Sequence, residues 1–105
     1  MEIEVISDTN EHLIRRMILE PGEAMFWHVD VCRSFSVVVR GSQLAIEYQD
    51  SSETIEVDVS PGMAGWDEPE SRPHRAVNVG VDCYEEVVTF YRESLDVDPQ
   101  PKVAV

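Results

Sequence analysis

Short runs rich in valine, isoleucine and aromatic residues alternate with clusters of glycine, proline, serine and aspartate along the whole chain. Residues 2–6 and 54–59 alternate polar and apolar side chains, the pattern of a strand with one face inward and the other in water. No window keeps a 3.6-residue period long enough to predict a helix. Strands and turns that recur roughly every 8 to 12 residues predict an all-β sandwich or barrel rather than a parallel α/β sheet.

The turn signals between these runs divide the chain into about nine predicted strands. They cover residues 2–6, 13–19, 25–29, 35–40, 43–48, 54–59, 64–67, 75–79 and 84–91. A chain of 105 residues fits one domain, which we place at residues 1–95. The tail, residues 96–105, has two prolines and no clear period, so we expect a flexible segment or an arm that docks on a neighbouring subunit.

The charge balance argues against several kinds of partner. With 21 acidic against 8 basic residues the formal net charge is −13, and such a surface repels nucleic acids and anionic membranes. The first residues lack the basic region and apolar core of a signal peptide, and no stretch is apolar enough to span a membrane, so we expect a cytoplasmic protein. A small barrel gains stability from a partner that covers its edges, which predicts a homodimer.

Three potential metal ligands lie in two strand-like segments. His28 and Asp30 are two residues apart, so in an extended strand both side chains leave the same face. With His74 they would make a site of two imidazoles and one carboxylate, a set that suits Fe(II) and also Zn, Mn or Ni. A structural interpretation is also open, with His28 in the core, Asp30 forming a turn at a strand end and His74 in a loop.

The residues around these ligands follow a recognisable spacing. The first segment reads Gly22, five residues, His28-Val29-Asp30, three residues, Ser34, six residues and Gly41. The second reads Pro69-Glu70-Ser71, two residues, His74, three residues and Asn78. Together they resemble the two motifs of the cupins (RmlC-like superfamily), and the wording around Trp-His and Pro-His is similar to the short BauB-like cupins assigned to beta-alanine degradation. The resemblance covers roughly residues 19–91 and implies a single-domain double-stranded β-helix, or jelly-roll, barrel.

The chain differs from the cupin motifs at two of the ligand positions that these motifs imply. Asp30 stands where cupins usually have a second histidine, and Ser34 stands where they have a glutamate. A carboxylate can replace an imidazole, whereas a neutral hydroxyl is a poor ligand. The resemblance therefore implies a divalent transition metal (Fe, Zn, Mn or Ni) on His28, Asp30 and His74, or a degenerate site. Cys32 is an alternative soft ligand, although a packed thiol is the simpler interpretation.

Several residues near the motifs suit a small organic acid. Arg33, Arg72 and Arg75 flank the predicted site, and a guanidinium binds a carboxylate in a bidentate fork. Such arginines also pair with surface acids, which this chain has in surplus. Trp66 is a candidate for the mouth of the pocket, because small-ligand sites are mostly apolar with a few placed polar groups.

Two functions follow from these residues and the resemblance. The first is a metal-dependent enzyme of the oxygenase or isomerase type that acts on a small carboxylate. The second is a non-enzymatic cupin that binds a small ligand or serves a structural role with a degenerate metal site. The replacement of the usual glutamate by Ser34 motivates the second function.

Overall fold

The computed structural model describes residues 1–104, which form ten β-strands and no helix. The strands are β1 (Glu2–Asp8), β2 (His12–Leu19), β3 (His28–Asp30), β4 (Ser34–Arg40), β5 (Gln43–Tyr48), β6 (Thr54–Asp58), β7 (Ala64–Asp67), β8 (Glu70–Asn78), β9 (Tyr84–Tyr91) and β10 (Lys102–Val103). One five-stranded sheet has the order β1-β2-β9-β4-β7 and the other the order β10-β3-β8-β5-β6. All neighbouring strands are antiparallel, so the predicted all-β fold is confirmed.

The strands that carry the histidines differ from their predicted bounds. β8 begins at Glu70, ahead of the predicted residue 75, and therefore includes Pro73 within the strand. The structure accommodates this proline with a register shift, in which His28 pairs with His74 while Asp30 pairs with Glu70. β3 is correspondingly short, and the chain before it contacts β8 through an isolated bridge between Ala24 and Val77 and through a hydrogen bond from Gly22 N–H to the carbonyl oxygen of Asn78.

The alternating side chains of β2 and β9 form the centre of the core. One buried cluster contains Met17, Leu19, Leu44, Ala76 and Tyr84, and a second contains Leu13, Cys32, Val88 and Phe90. Members of both clusters line a cavity between the sheets. The fold therefore has an open space where a small barrel would otherwise be filled by side chains.

Two residues of the cupin-like motifs have structural roles. Asn78 is fully buried, and its Nδ2 donates to the carbonyl oxygens of Leu19 and Asp82, each at 2.9 Å. This bonding fixes the turn from β8 to β9. Gly41 has a φ of +144°, and a Cβ there would come within 2.7 Å of the Tyr84 ring, so glycine suits both the backbone and the packing.

The C-terminal segment packs on its own chain, a contact that the sequence did not predict. β10 extends the sheet by pairing with β3, with Lys102 opposite Val29 and Val103 opposite His28. The Cys32 thiol donates to the carbonyl oxygen of Pro99 at 3.0 Å. Without β10 the edge of β3 would present unpaired backbone groups, which explains the docking. The final residue of the predicted tail, Val105, lies outside the described residues.

The outer edges of the sheets bear on the predicted assembly. β1 is an edge strand with exposed apolar side chains at Ile3, Val5 and Ile6. The homodimer remains a prediction. Across residues 1–104 we find no helix with the length and apolar character needed to cross a membrane.

Candidate metal centre

The three predicted ligands come together at one end of the cavity. His28 and His74 are direct cross-strand partners on β3 and β8, and their ring centroids lie 4.5 Å apart. Asp30 projects beside them, and one ligand atom from each of the three residues lies within 4.8 Å of the others. The fold thus converts a separation of 46 positions along the chain (74 − 28) into a single cluster.

Both imidazoles are oriented by backbone carbonyl groups. Nδ1 of His28 lies 2.8 Å from the carbonyl oxygen of Phe26, and Nδ1 of His74 lies 2.8 Å from that of Arg72. A carbonyl oxygen only accepts, so each Nδ1 must donate its proton. In the neutral rings the lone pair is then on Nε2, which faces the cluster. Metal-binding histidines are typically held by this kind of outer hydrogen bond.

Asp30 lies against both Nε2 atoms. Its Oδ2 is 2.9 Å from Nε2 of His74, and its Oδ1 is 3.6 Å from Nε2 of His28. An ionised carboxylate and an unprotonated Nε2 are both acceptors, so their contact needs a cation between them, either a proton or a metal ion. Two ligands bound cis at about 2.0 to 2.1 Å in octahedral geometry lie about 2.9 Å apart. The donor set fits a divalent transition metal, and the spacing of Asp30 and His74 is that of two cis ligands.

The cavity beside this cluster has a volume of about 390 Å³. That is near the lower end of the range for small-molecule sites, roughly 300 to 1,000 Å³. Ser34, at the position of the usual cupin glutamate, is buried and lines the cavity from β4 in the facing sheet. Cys32 is packed in the core, and its thiol is bonded to Pro99. Of the two interpretations of Cys32, the structure therefore shows the packed thiol.

The arginines predicted to bind substrate lie outside the cavity lining, as does Trp66. Nε of Arg33 bonds to Glu68 at 2.8 Å, and its guanidinium stacks 3.9 Å from the ring of Trp66, which is half exposed. Arg33 and Trp66 therefore pack against each other at the protein surface. On β7, alternation points Asp67 into the cavity and Trp66 away from it.

The other two arginines, both on β8, are likewise paired outside the cavity. Nε of Arg72 donates to Asp50 at 3.0 Å, and the guanidinium of Arg72 stacks on Tyr48. Arg75 donates to Glu47 at 2.8 Å and stacks on Trp27. All three arginines predicted to bind substrate therefore pair with surface acids, the alternative that the acidic composition predicted.

The charged groups inside the cavity were missed by the sequence reasoning. They include Arg15 on β2, Asp67 on β7 and Glu86 on β9, and Glu68 and Glu70 also line the cavity. The signal was present, because Arg15 alternates with the buried Leu13 and Met17 and therefore shares their inward face. Glu86 likewise has the parity of Tyr84 and Val88 on β9.

The cavity changes the acidity of several of these groups. Burial, opposed in part by a hydrogen bond from the Tyr84 hydroxyl at 3.1 Å, raises the pKa of Glu86 to about 7. Burial, followed by the charge of Asp30, also raises the pKa of Asp67. The pKa of His28 is lowered, mainly by burial, which favours the neutral imidazole that a metal requires.

The two facing antiparallel sheets with a cavity between them are the double-stranded β-helix of the cupin domains. Among solved structures, the chain is similar to a cupin domain from Bordetella pertussis Tohama I, with a TM-score of 0.76, 16% identity, and 87% of this chain and 92% of that one covered. It is also similar to a double-stranded β-helix protein from Klebsiella pneumoniae, with a TM-score of 0.70, 17% identity, and 96% and 81% covered.

A third similar structure is the polyketide cyclase RemF from Streptomyces resistomycificus, with a TM-score of 0.68, 18% identity, and 98% of this chain and 70% of that one covered. No family model matches the chain, and no curated protein matches it. Likeness at these identities establishes the fold alone, and the predicted cupin architecture is confirmed.

Proposed function

We propose that this protein is a metal-dependent cupin in which His28, Asp30 and His74 hold a divalent transition metal and the adjoining cavity takes a small organic acid. The observation that carries the proposal is the 2.9 Å contact between Oδ2 of Asp30 and Nε2 of His74, made while Nδ1 of that ring faces a carbonyl. When bound, the metal supplies Lewis acidity to an oxygen atom of the ligand.

The chain's own residues supply acid–base chemistry in the same cavity. Glu86 has a pKa of about 7, so near neutral pH it is present both as an acid and as a base. The hydroxyl of Tyr84 donates to Oε1 and stabilises the ionised form. A carboxyl group with this pKa suits the proton transfers that a reaction of the isomerase type requires. A fold neighbour described as a polyketide cyclase supports an enzymatic use of this architecture.

Metal titration tests the proposal. Protein purified without a histidine tag and treated with a chelator would be titrated calorimetrically with Zn(II), Mn(II), Ni(II) and, without oxygen, Fe(II). We expect one ion per chain, and loss of at least about a hundredfold in affinity in His74→Ala, because a direct ligand contributes more than the outer groups that cost 10- to 100-fold. His12→Ala is the matched control, since His12 lies on β2 away from the cluster. Equal affinities in all three proteins would overturn the metal site.

A second function rests on Ser34. It places a neutral hydroxyl in the cavity at the position of the usual cupin glutamate, and a proton on His74 would also satisfy the contact with Asp30. The protein would then bind a small ligand without turning it over. Saturable ligand binding by the chelated protein, with no product formed after metal is restored, would favour this function.

The likeness to BauB-like cupins and the cytoplasmic location remain predictions.

A further inference from the structure

Arg15 is a buried cation without an ionic partner. Its relative exposure is 7%, and no carboxylate within residues 1–104 comes within salt-bridge distance of its guanidinium. Nη1 donates to Oε1 of Gln100 at 3.3 Å, while Nε, which is buried, has no hydrogen-bond partner in the described part of the chain. A buried charge in this state is costly, because desolvation is not compensated by pairing.

The side chain of Arg15 also lines the cavity. Alternation on β2 directs the side chain inward, and Arg15 lines the same cavity as His28 and Asp30. The Phe90 ring packs against one side of the guanidinium, 5.0 Å from its carbon. The guanidinium thus has a fixed apolar support, a single weak polar partner and donors left for a ligand.

The charges around Arg15 narrow the class of ligand. Glu86, Asp30 and Asp98 are near enough to favour its charged form, but burial outweighs them and lowers its pKa. Acidic side chains of Asp67, Glu68 and Glu70 also line the cavity. A dianion such as phosphate would meet strong repulsion there, whereas a carboxylate brings a single charge and two oxygens that match the guanidinium fork.

We propose that Arg15 is the anion-binding residue of the cavity and that it recognises the carboxylate of a small monocarboxylic acid. This inference rests on the proposed function in one respect only, that the ligand occupies the cavity beside the metal cluster. It replaces Arg33, Arg72 and Arg75 as the residue that selects the substrate class. Binding to Arg15 leaves the remainder of the ligand to face the cluster or Glu86.

Nuclear magnetic resonance titration of the chelated protein tests this role without any metal. Acetate, propionate and pyruvate would be added while the Nε–H signal of Arg15 and the backbone amide signals are followed. We expect saturable shifts of the Arg15 Nε–H signal, and affinity at least about tenfold weaker in Arg15→Met, since a hydrogen bond to a buried charge is lost. Arg15→Lys, which retains the charge but not the fork, should lie between the two. Inorganic phosphate should bind more weakly than acetate.

The controls separate this inference from the metal site. Arg40→Met removes an exposed arginine that pairs with Glu85, and it should bind acetate as the wild type does. His74→Ala should lose metal binding while the Arg15 signal still responds to acetate. If Arg15→Met does not fold, the wild-type Nε–H titration and Arg15→Lys still decide the question. An Arg15 signal that does not respond to any carboxylate, or stronger binding of phosphate, would overturn the proposal.

Discussion

Oδ2 of Asp30 lies 2.9 Å from Nε2 of His74, while Nδ1 of the same ring is 2.8 Å from the backbone carbonyl of Arg72. A neutral imidazole cannot donate from both nitrogens. Either a proton, carried by the ring or by the carboxyl group, or a metal ion must therefore lie between the two atoms. Asp30 consequently lies where it would share a bound cation with the histidines.

Replacing Asp30 with asparagine should weaken metal binding. Asp30→Asn keeps the shape of the side chain but removes the only anionic member of the cluster, so we expect the affinity for Zn(II) to fall at least about tenfold. Asp30→His should retain metal, because imidazole is also a good ligand. Calorimetric titration measures both effects, with Asp50→Asn as the control on an exposed surface acid. Unchanged affinity in Asp30→Asn would exclude the carboxylate as a ligand.

Glu86 should make stability depend on pH. Its pKa is raised from 4.5 to about 7 in the folded protein, so between these values the folded state holds a proton that the unfolded state has lost. The contribution of Glu86 to the free energy of unfolding should therefore fall as pH rises from about 4.5 to about 7, by at most about 3 kcal/mol. Glu86→Gln removes this dependence, so its stability relative to the wild type should rise across that window.

Denaturant titrations at intervals of pH provide the measurement. The nearby charged groups Arg15, Asp30 and Asp67 are present in both proteins, so the difference between them isolates Glu86. Glu56→Gln, on the exposed strand β6, should follow the wild type at every pH. A constant difference between Glu86→Gln and the wild type would mean that Glu86 titrates normally.

Asn78 should be important for stability. Asn78→Ala leaves the buried carbonyl oxygen of Leu19 without its donor and removes the bond from Gly80 N to Oδ1. We expect a loss of about 3 kcal/mol in the free energy of unfolding. Chemical denaturation would measure it against Asn10→Ala, an exposed asparagine in the turn after β1. A loss no larger than in the control would show that this bonding adds little.

Removal of the C-terminal segment should expose Cys32. A chain ending at Asp98 lacks the carbonyl of Pro99 that accepts from the thiol, and it lacks β10. Burial raises the pKa of Cys32 in the intact protein and slows its reaction. In a Cys83→Ser background, the truncation should accelerate reaction with a thiol reagent by at least about tenfold. Equal rates would place the protection of Cys32 elsewhere.

The sequence predicted the strands and the ligand cluster because both rest on local patterns. Alternation and turn residues mark each strand, and the spacing of the cupin-like motifs placed His28 and His74 on partner strands. The predicted bounds failed at Pro73, where a register shift accommodates a residue that has no backbone donor.

The lining of the cavity was harder to predict than its metal cluster. Arg33 and Arg72 lie close in sequence to the motifs, yet nearby acids and aromatic rings hold them outside the cavity. Arg15 comes from a strand far from either motif, and only its parity on β2 reveals it. Position relative to a motif does not show which face of a barrel a long side chain takes.

The pairing of β3 with β10 constrains when the site can form during synthesis. His28 is made early, but its strand is bounded by β8 on one side and by Lys102–Val103 on the other. A ribosome must therefore release the chain as far as Val103 before this strand has both neighbours. Until then the ligand-bearing segment is an open sheet edge, so a nascent or stalled chain would expose its histidines to stray metal ions and to other unfinished strands.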